Sequence, residues 1–187
     1  MSRKPLESND LVLQVLESPE SFESIVTQYQ QQLFLYILKY IPDEDIAKDI
    51  VQEAFIKMYV NIQSFDPKRP FTAWAYRITH NEMINYLRKN KRTMELNEET
   101  QYADMFDERP DLADEIDRVL QAEQLQKLLN MMPMKYREVL VLNYLEGRDY
   151  QTISCVIGKP TSTVGTRIKR AKELLKKLYV KEYGNEA

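Results

Sequence analysis

Cysteine, histidine and glycine are scarce in this chain of 187 residues, and each shortage excludes something. The single cysteine, Cys155, permits no intrachain disulfide and fits a reducing compartment. Together with the single histidine, His80, it cannot assemble the roughly four N, S or O ligands of a zinc site. No metal or cofactor is therefore expected. By itself His80 reads as a surface or groove residue and Cys155 as a small core residue. The four glycines, Gly147, Gly158, Gly165 and Gly184, form no phosphate-binding loop. A nucleophile elbow and a histidine-based triad are also missing, so the expectation is a protein that is not an enzyme. No apolar run approaches the roughly 20 residues that span a bilayer. Met1 to Asp10 lacks the apolar core of a signal peptide. A soluble, cytoplasmic protein with no membrane insertion is expected. No stretch alternates apolar and polar residues long enough to suggest a sheet.

What is present points to helices. Hydrophobic residues make up 43% of the chain, with much Leu, Ile, Glu, Lys and Gln, which favours an all-α fold. After a polar start, Phe22, Ile25, Val26, Tyr29, Leu33, Ile37 and Tyr40 recur at helical spacing. Pro42 and Asp43 end that stripe and open the next, through Ile46, Ile50, Ala54, Phe55, Met58 and Ile62. A loop with two prolines and two cations, Asp66 to Pro70, precedes a third helix over about Phe71–Asn90. Its inward residues are expected to be Phe71, Trp74, Ala75, Ile78 and Leu87. These three helices predict a first domain, given the bounds 15–92.

Residues 93–111 lose the stripe and gather acids, so they read as a flexible acidic linker. Helical spacing resumes with Leu112, Ile116, Val119, Leu125, Leu128 and Met132, and a second small helical domain is expected over 112–181. Pro133 breaks its chain. Another stripe, Val139, Leu140, Leu142 and Leu145, closes near Gly147. A short helix near Tyr150–Ile157, a turn at Gly158-Lys159-Pro160 and a last helix from about Thr161 to Tyr179 complete a helix-turn-helix pattern. Val164, Ile168, Ala171, Leu175 and Leu178 form the inward face of that last helix.

The net charge of −3 conceals a sharp partition. Residues 68–92 carry seven basic residues against one acid, and 159–187 carry eight against three. Between them, 93–118 carries ten acids against two bases. Two cationic segments separated by an anionic one suit a protein that binds a polyanion at two places.

The last helix carries Arg167, Lys169, Arg170, Lys172, Lys176 and Lys177 against Glu173 alone. A recognition helix meets base edges near its N-terminal end. That nominates Ser162, Thr163, Thr166, Arg167, Lys169 and Arg170 for bases, and the later lysines for phosphates. A solvated basic helix closing a bundle is the plainer alternative. In the first domain, Lys68, Arg69, Arg77, Arg88, Lys89, Lys91 and Arg92 interleave with Phe71, Trp74, Tyr76 and Tyr86. Basic grooves with stacking aromatics suit unpaired bases, although Phe71 and Trp74 also read as core. Asn81 and Asn85 lie one turn apart and can hydrogen-bond an exposed base. On the second helix, Asp49, Gln52, Glu53 and Lys57 make a mixed-charge outer face.

Three blocks in this order, DIVQEAFIKMYVNIQSF, FTAWAYRITHNEMINYLRK and MPMKYREVLVLNYLEGRDYQTISCVIGKPTSTVGTRIKRAKELLKK, resemble the extracytoplasmic-function (ECF) class of bacterial RNA polymerase sigma factors. The likeness runs over about residues 15–180. It implies that Asp49, Gln52, Glu53, Phe55 and Ile56 dock on the clamp of core RNA polymerase. It also implies that the loop Ser64 to Phe71 captures a flipped base of the minus-ten element of promoter DNA. Lys68, Arg69, Phe71, Arg77, Asn81, Asn85 and Arg88 would bind that element. The last helix would read the minus-thirty-five element as duplex. The resemblance further implies an anti-sigma factor as partner, and a linker that threads toward the RNA exit path. The chain departs from the family pattern at Ser154-Cys155 and at Ser162-Thr163-Val164-Gly165, where relatives often have Gly-Thr-Val and then a cation. Gly165 is expected to remove a DNA contact. A stand-alone helix-turn-helix regulator is the alternative reading, and it leaves the first domain unexplained.

Overall fold

The computed structural model describes residues 8–91 and 122–184. All regular structure among them is helical, in two compact units. The acidic linker, the stripe at Leu112, Ile116 and Val119, and Arg92 lie outside the described residues.

The first unit opens with a helix where the sequence suggests only a polar start. α1 (Ser8–Glu17) buries Leu11, Val12 and Val15. A 3-10 turn at Pro19–Ser21 leads into α2 (Phe22–Leu38). α3 (Glu44–Asn61) follows Pro42, which cannot continue a helix. Asp43 caps it, its carboxylate accepting from the N–H groups of Asp45 and Ile46, both at 3.0 Å. Such a cap is worth about 1 kcal/mol. Glu44 and Asp45 add negative charge to the first turn, where the helix dipole favours it. A second 3-10 turn, Ile62–Ser64, and the proline loop then deliver the chain to α4 (Phe71–Lys91).

The core of this unit is largely aromatic. The Phe71 ring lies 5.2 Å from Tyr29, 5.5 Å from Phe65 and 5.5 Å from Trp74, edge-on or tilted. Tyr36 packs on Tyr40 and Tyr76 at 5.3 and 5.0 Å. Three polar tips that enter this core find a partner on another helix. The Tyr29 hydroxyl meets Thr72 Oγ1 at 2.9 Å, Gln32 Nε2 donates to the Tyr76 hydroxyl at 2.9 Å, and the Tyr36 hydroxyl pairs with His80 Nδ1 at 2.7 Å. His80 is therefore a core residue, not the surface or groove residue its sequence context suggests.

The second unit holds α5 (Ala122–Met131), α6 (Met134–Leu140), most of α7 (Tyr150–Ile157) and α8 (Thr161–Tyr183). α6 runs on into a π-helical turn, Val141–Leu145. Gly147 and Gly158 adopt φ of 62° and 64°, the left-handed region that glycine enters without strain. No side chain or backbone stands near either one, so the backbone angle alone requires glycine. The inward face of α8 is Val164, Ile168, Ala171, Leu174 and Leu178. Leu174 is fully buried and Leu175 only half-buried, which moves the expected stripe by one residue. Leu145, expected inward, is exposed.

Candidate nucleic-acid interface

Two surfaces answer the sequence expectations in the first unit. On α4, Arg77, Asn81, Asn85 and Arg88 are all exposed. Their spacing of four, four and three places them on one stripe. Phe71, Ala75, Tyr76, Thr79, His80 and Met83 fill the opposite, buried face. The stripe is polar and cationic because the apolar residues of this helix are committed inward.

Ahead of the stripe lies the exposed loop Asp66 to Pro70. Its turn is closed from inside by Asp66. The carboxylate accepts from Lys68 N–H at 3.0 Å, the carbonyl accepts from Arg69 N–H at 3.0 Å, and Arg69 Nε lies 3.5 Å from the carboxylate. Lys68 and Arg69 thus stand on a defined turn with their side chains in solvent. Phe71 does not join them. It is fully buried among Tyr29, Phe65 and Trp74, so its ring serves the core and is no platform for a base. Tyr76 is likewise buried.

The outer face of α3 presents Asp49, Gln52, Glu53 and Ile56 to solvent. Phe55 turns the other way and is buried, so its contribution to that face is to the helix packing. Tyr59 and Val60 are exposed beside Ile56, Val60 to 71%. Sequence reading missed these two. Their signal was an apolar residue out of phase with the inward stripe. Beside this face a groove between α2 and α3 is lined by Val26, Gln30, Gln31, Phe34, Lys48, Val51, Gln52 and Phe55. Lys57, expected on the outer face, is exposed and pairs with Glu82, which ties α3 to α4.

In the second unit, α7 and α8 form the expected helix-turn-helix. Asp149 caps α7, accepting from Thr152 N–H at 2.7 Å. That backbone N–H, and after it the Thr152 hydroxyl, hold the Asp149 carboxyl below the ordinary carboxylate range. The turn is tied by Ser154, whose hydroxyl donates to the Lys159 carbonyl at 2.6 Å. The departure from the family pattern at this position therefore has a local role. Ser162, Thr166, Lys169 and Arg170 are exposed at the N-terminal end of α8, and Thr163 is half-buried. With Lys135, Tyr136 and Arg167, the residues Ser162, Thr163, Thr166 and Arg170 line an open concavity.

Arg167 differs from the expectation that it reads bases. Its guanidinium donates to Glu138 of α6 at 2.7 Å, with both side chains largely buried. It braces α8 against α6. Gly165 also differs. A Cβ there would lie 3.5 Å from the Tyr150 ring of α7, so this position faces Tyr150. Lys172 lies over the Tyr144 ring, 4.8 Å from its centre, a cation–π contact.

The Sigma-70 region 2 model matches residues 25–93, and the Sigma-70 region 4 model matches residues 122–175. The chain is 33% identical over 165 residues to the ECF RNA polymerase sigma factor SigW of Bacillus subtilis, covering 84% of this chain and 88% of that protein. It is 30% identical to the RNA polymerase sigma-H factor of Pseudomonas aeruginosa, covering 84% and 85%. Its fold is similar to that of the sigma factor RpoE of Bartonella quintana, solved with the anti-sigma factor NepR, with a TM-score of 0.63, 25% identity and coverage of 85% and 96%. CnrH, solved with the cytosolic domain of CnrY, shares the fold with a TM-score of 0.68 at 24% identity, over 92% of this chain and 97% of that one. The chain belongs to the ECF RNA polymerase sigma factors. It binds core RNA polymerase and directs transcription initiation at promoters, contacting promoter DNA. No helix among the described residues is long and apolar enough to cross a membrane.

Proposed function

We propose that the two units divide promoter reading between them. A region-two-like domain over 15–92 binds polymerase and the minus-ten element, and a region-four-like domain over 112–181 binds the minus-thirty-five element. The linker 93–111 joins them. Asp49, Gln52, Glu53 and Ile56 dock on the polymerase, extended by Tyr59 and Val60. Lys68, Arg69, Arg77, Asn81, Asn85 and Arg88 hold the melted minus-ten strand. Ser162, Thr163, Thr166, Lys169 and Arg170 meet the minus-thirty-five duplex, with Arg167 bracing the helix that carries them. The observation that carries this reading is the exposed stripe of two arginines and two asparagines on α4, the helix that follows the exposed loop bearing Lys68 and Arg69. Guanidinium groups hold phosphates, and asparagine amides pair with an unstacked base.

The protein works in the cytoplasm by binding and positioning, with no chemistry of its own. The complex of RpoE with NepR supports a further partner, an anti-sigma factor that masks these same surfaces. Run-off transcription with purified core polymerase on a genomic promoter library tests the assignment. Starts that depend on this protein should share two upstream motifs. Asn81→Ala with Arg88→Ala should lower transcription from such a promoter at least about tenfold, since each lost base or phosphate contact costs about 1–3 kcal/mol. Affinity for core polymerase, read by competition, should hold. A double variant that transcribes normally overturns the α4 assignment.

A further inference from the structure

We infer that Asn9, on α1, is the residue that sets the shape of the minus-ten loop. Three hydrogen bonds carry this. Asn9 Nδ2 donates to the Pro67 carbonyl at 2.8 Å and to the Arg69 carbonyl at 3.0 Å, and Asn9 Oδ1 accepts from Phe71 N–H at 2.9 Å. One amide thus grips the loop at three alternate residues, 58 to 62 positions away in sequence.

The loop has a reason to need an outside partner. Pro67 and Pro70 have no N–H to donate, so the loop cannot close on itself by a backbone ladder. Phe71 N–H is the first of α4 and has no acceptor within that helix. Pro70 occupies the capping position and brings no side-chain oxygen, although its carbonyl already accepts from Ala73 and Trp74. Asn9 supplies the missing cap from another helix and, with the same amide, fixes the two carbonyls that flank Lys68. An asparagine fits where other residues fail. Two donors and one acceptor are required within one planar group. Aspartate would offer only acceptors, and serine is too short to hold all three. α1 is held in place by Leu11, Val12 and Val15, so the grip comes from a rigid element.

Asp66 shapes the turn from inside, and Asn9 fixes the turn to the body of the domain. With both in place, Lys68 and Arg69 project at a defined position beside the α4 stripe. Asn9 touches no nucleotide in this role. It is a positioning residue for base selection.

This inference rests on the reading that the loop engages the melted minus-ten strand, so the experiment includes a variant of the loop itself. Full-length wild type, Asn9→Ala, Asn9→Asp and the double variant Lys68→Ala, Arg69→Ala are each assembled with core polymerase. Each is assayed on a promoter library randomised through the minus-ten element. The readout is the ratio of transcripts from the preferred base to those from the others at each position. A partly unfolded protein lowers the yield but leaves this ratio alone. Asn9→Ala should flatten the preference at one minus-ten position by about tenfold, the size of a typical lost base discrimination. Asn9→Asp keeps an acceptor for Phe71 N–H but sets a carboxylate oxygen against the Pro67 and Arg69 carbonyls, so its base preference should flatten at least as much as that of Asn9→Ala. Wild-type preference in both Asn9 variants, with an altered preference in the Lys68, Arg69 variant, overturns the role of Asn9 and leaves the loop reading intact. Unaltered preference in all three overturns the loop reading, and the inference with it.

Discussion

Arg167 lies in the stretch of α8 where a recognition helix meets bases, yet its guanidinium is turned to Glu138 of α6. Glu138 is 8% exposed, so its charge sits largely out of water. A partner removed from such a pair leaves the other desolvated and uncompensated. Glu138→Gln should therefore lower the stability of the second unit by about 2 kcal/mol, discounted from a fully buried pair because Arg167 keeps some exposure. Urea titration followed by circular dichroism measures it. Arg167→Ala should destabilise the same unit, whereas Lys169→Ala, at an exposed position, should weaken DNA binding and leave the unfolding midpoint alone. An unfolding midpoint untouched by Arg167→Ala would return that arginine to the DNA face. The sequence points to six of the seven cations of α8 and stops short of Lys181. It could not separate Arg167 from its neighbours, because the deciding carboxylate lies on another helix. The same holds for His80. Its partner Tyr36 is 44 residues away, and no local pattern marks the pair.

At the scale of the element, periodicity served wherever a stripe was long. α2, α3, α4 and the helix-turn-helix lie where their apolar spacing placed them. α1 was missed because its buried set is only Leu11, Val12 and Val15, too short for a stripe to stand out in a polar stretch. Its function is also invisible from sequence, since the Asn9 contacts depend on how α1 docks against α4. α8 holds a residue whose neighbour no local pattern marks. Gly165 in mid-helix reads as a lost contact, but the space beside it belongs to Tyr150 at an ordinary packing distance. Glycine there costs helix stability with no compensation from the backbone angle. Gly165→Ala should stabilise the second unit by about 0.5–1 kcal/mol, read as a higher urea midpoint, with minus-thirty-five binding unchanged in a mobility-shift assay. Destabilisation would mean that Tyr150 cannot accept a methyl group, and weaker binding that the helix must bend at this point.

At the scale of the whole chain, the sequence shows how weak parts make a selective reader. Each unit offers a small cationic surface, and on the proposed division of promoter reading, tethering both to one polymerase raises the effective concentration of each at its own DNA element. The same logic makes unassisted DNA binding undesirable, since two basic surfaces attract any phosphate backbone. The acids between them supply a counterweight. Glu95, Glu98, Glu99, Asp104, Asp107, Glu108 and Asp111 stand against a single base, Arg109, in the linker. A tethered polyanion competes with DNA for the cationic faces at low salt and loses its grip as charges are screened. Replacing those seven acids with Ser or Gln should raise the affinity of the free protein for duplex DNA. The rise should be on the order of tenfold near 0.05 M salt and vanish toward 1 M, where the Debye length falls to about 3 Å. Fluorescence anisotropy with a labelled duplex, run across a salt series without polymerase, reads both limbs. Equal affinities at low salt would remove the linker from this role. A gain that persists undiminished at high salt would point to steric rather than electrostatic masking.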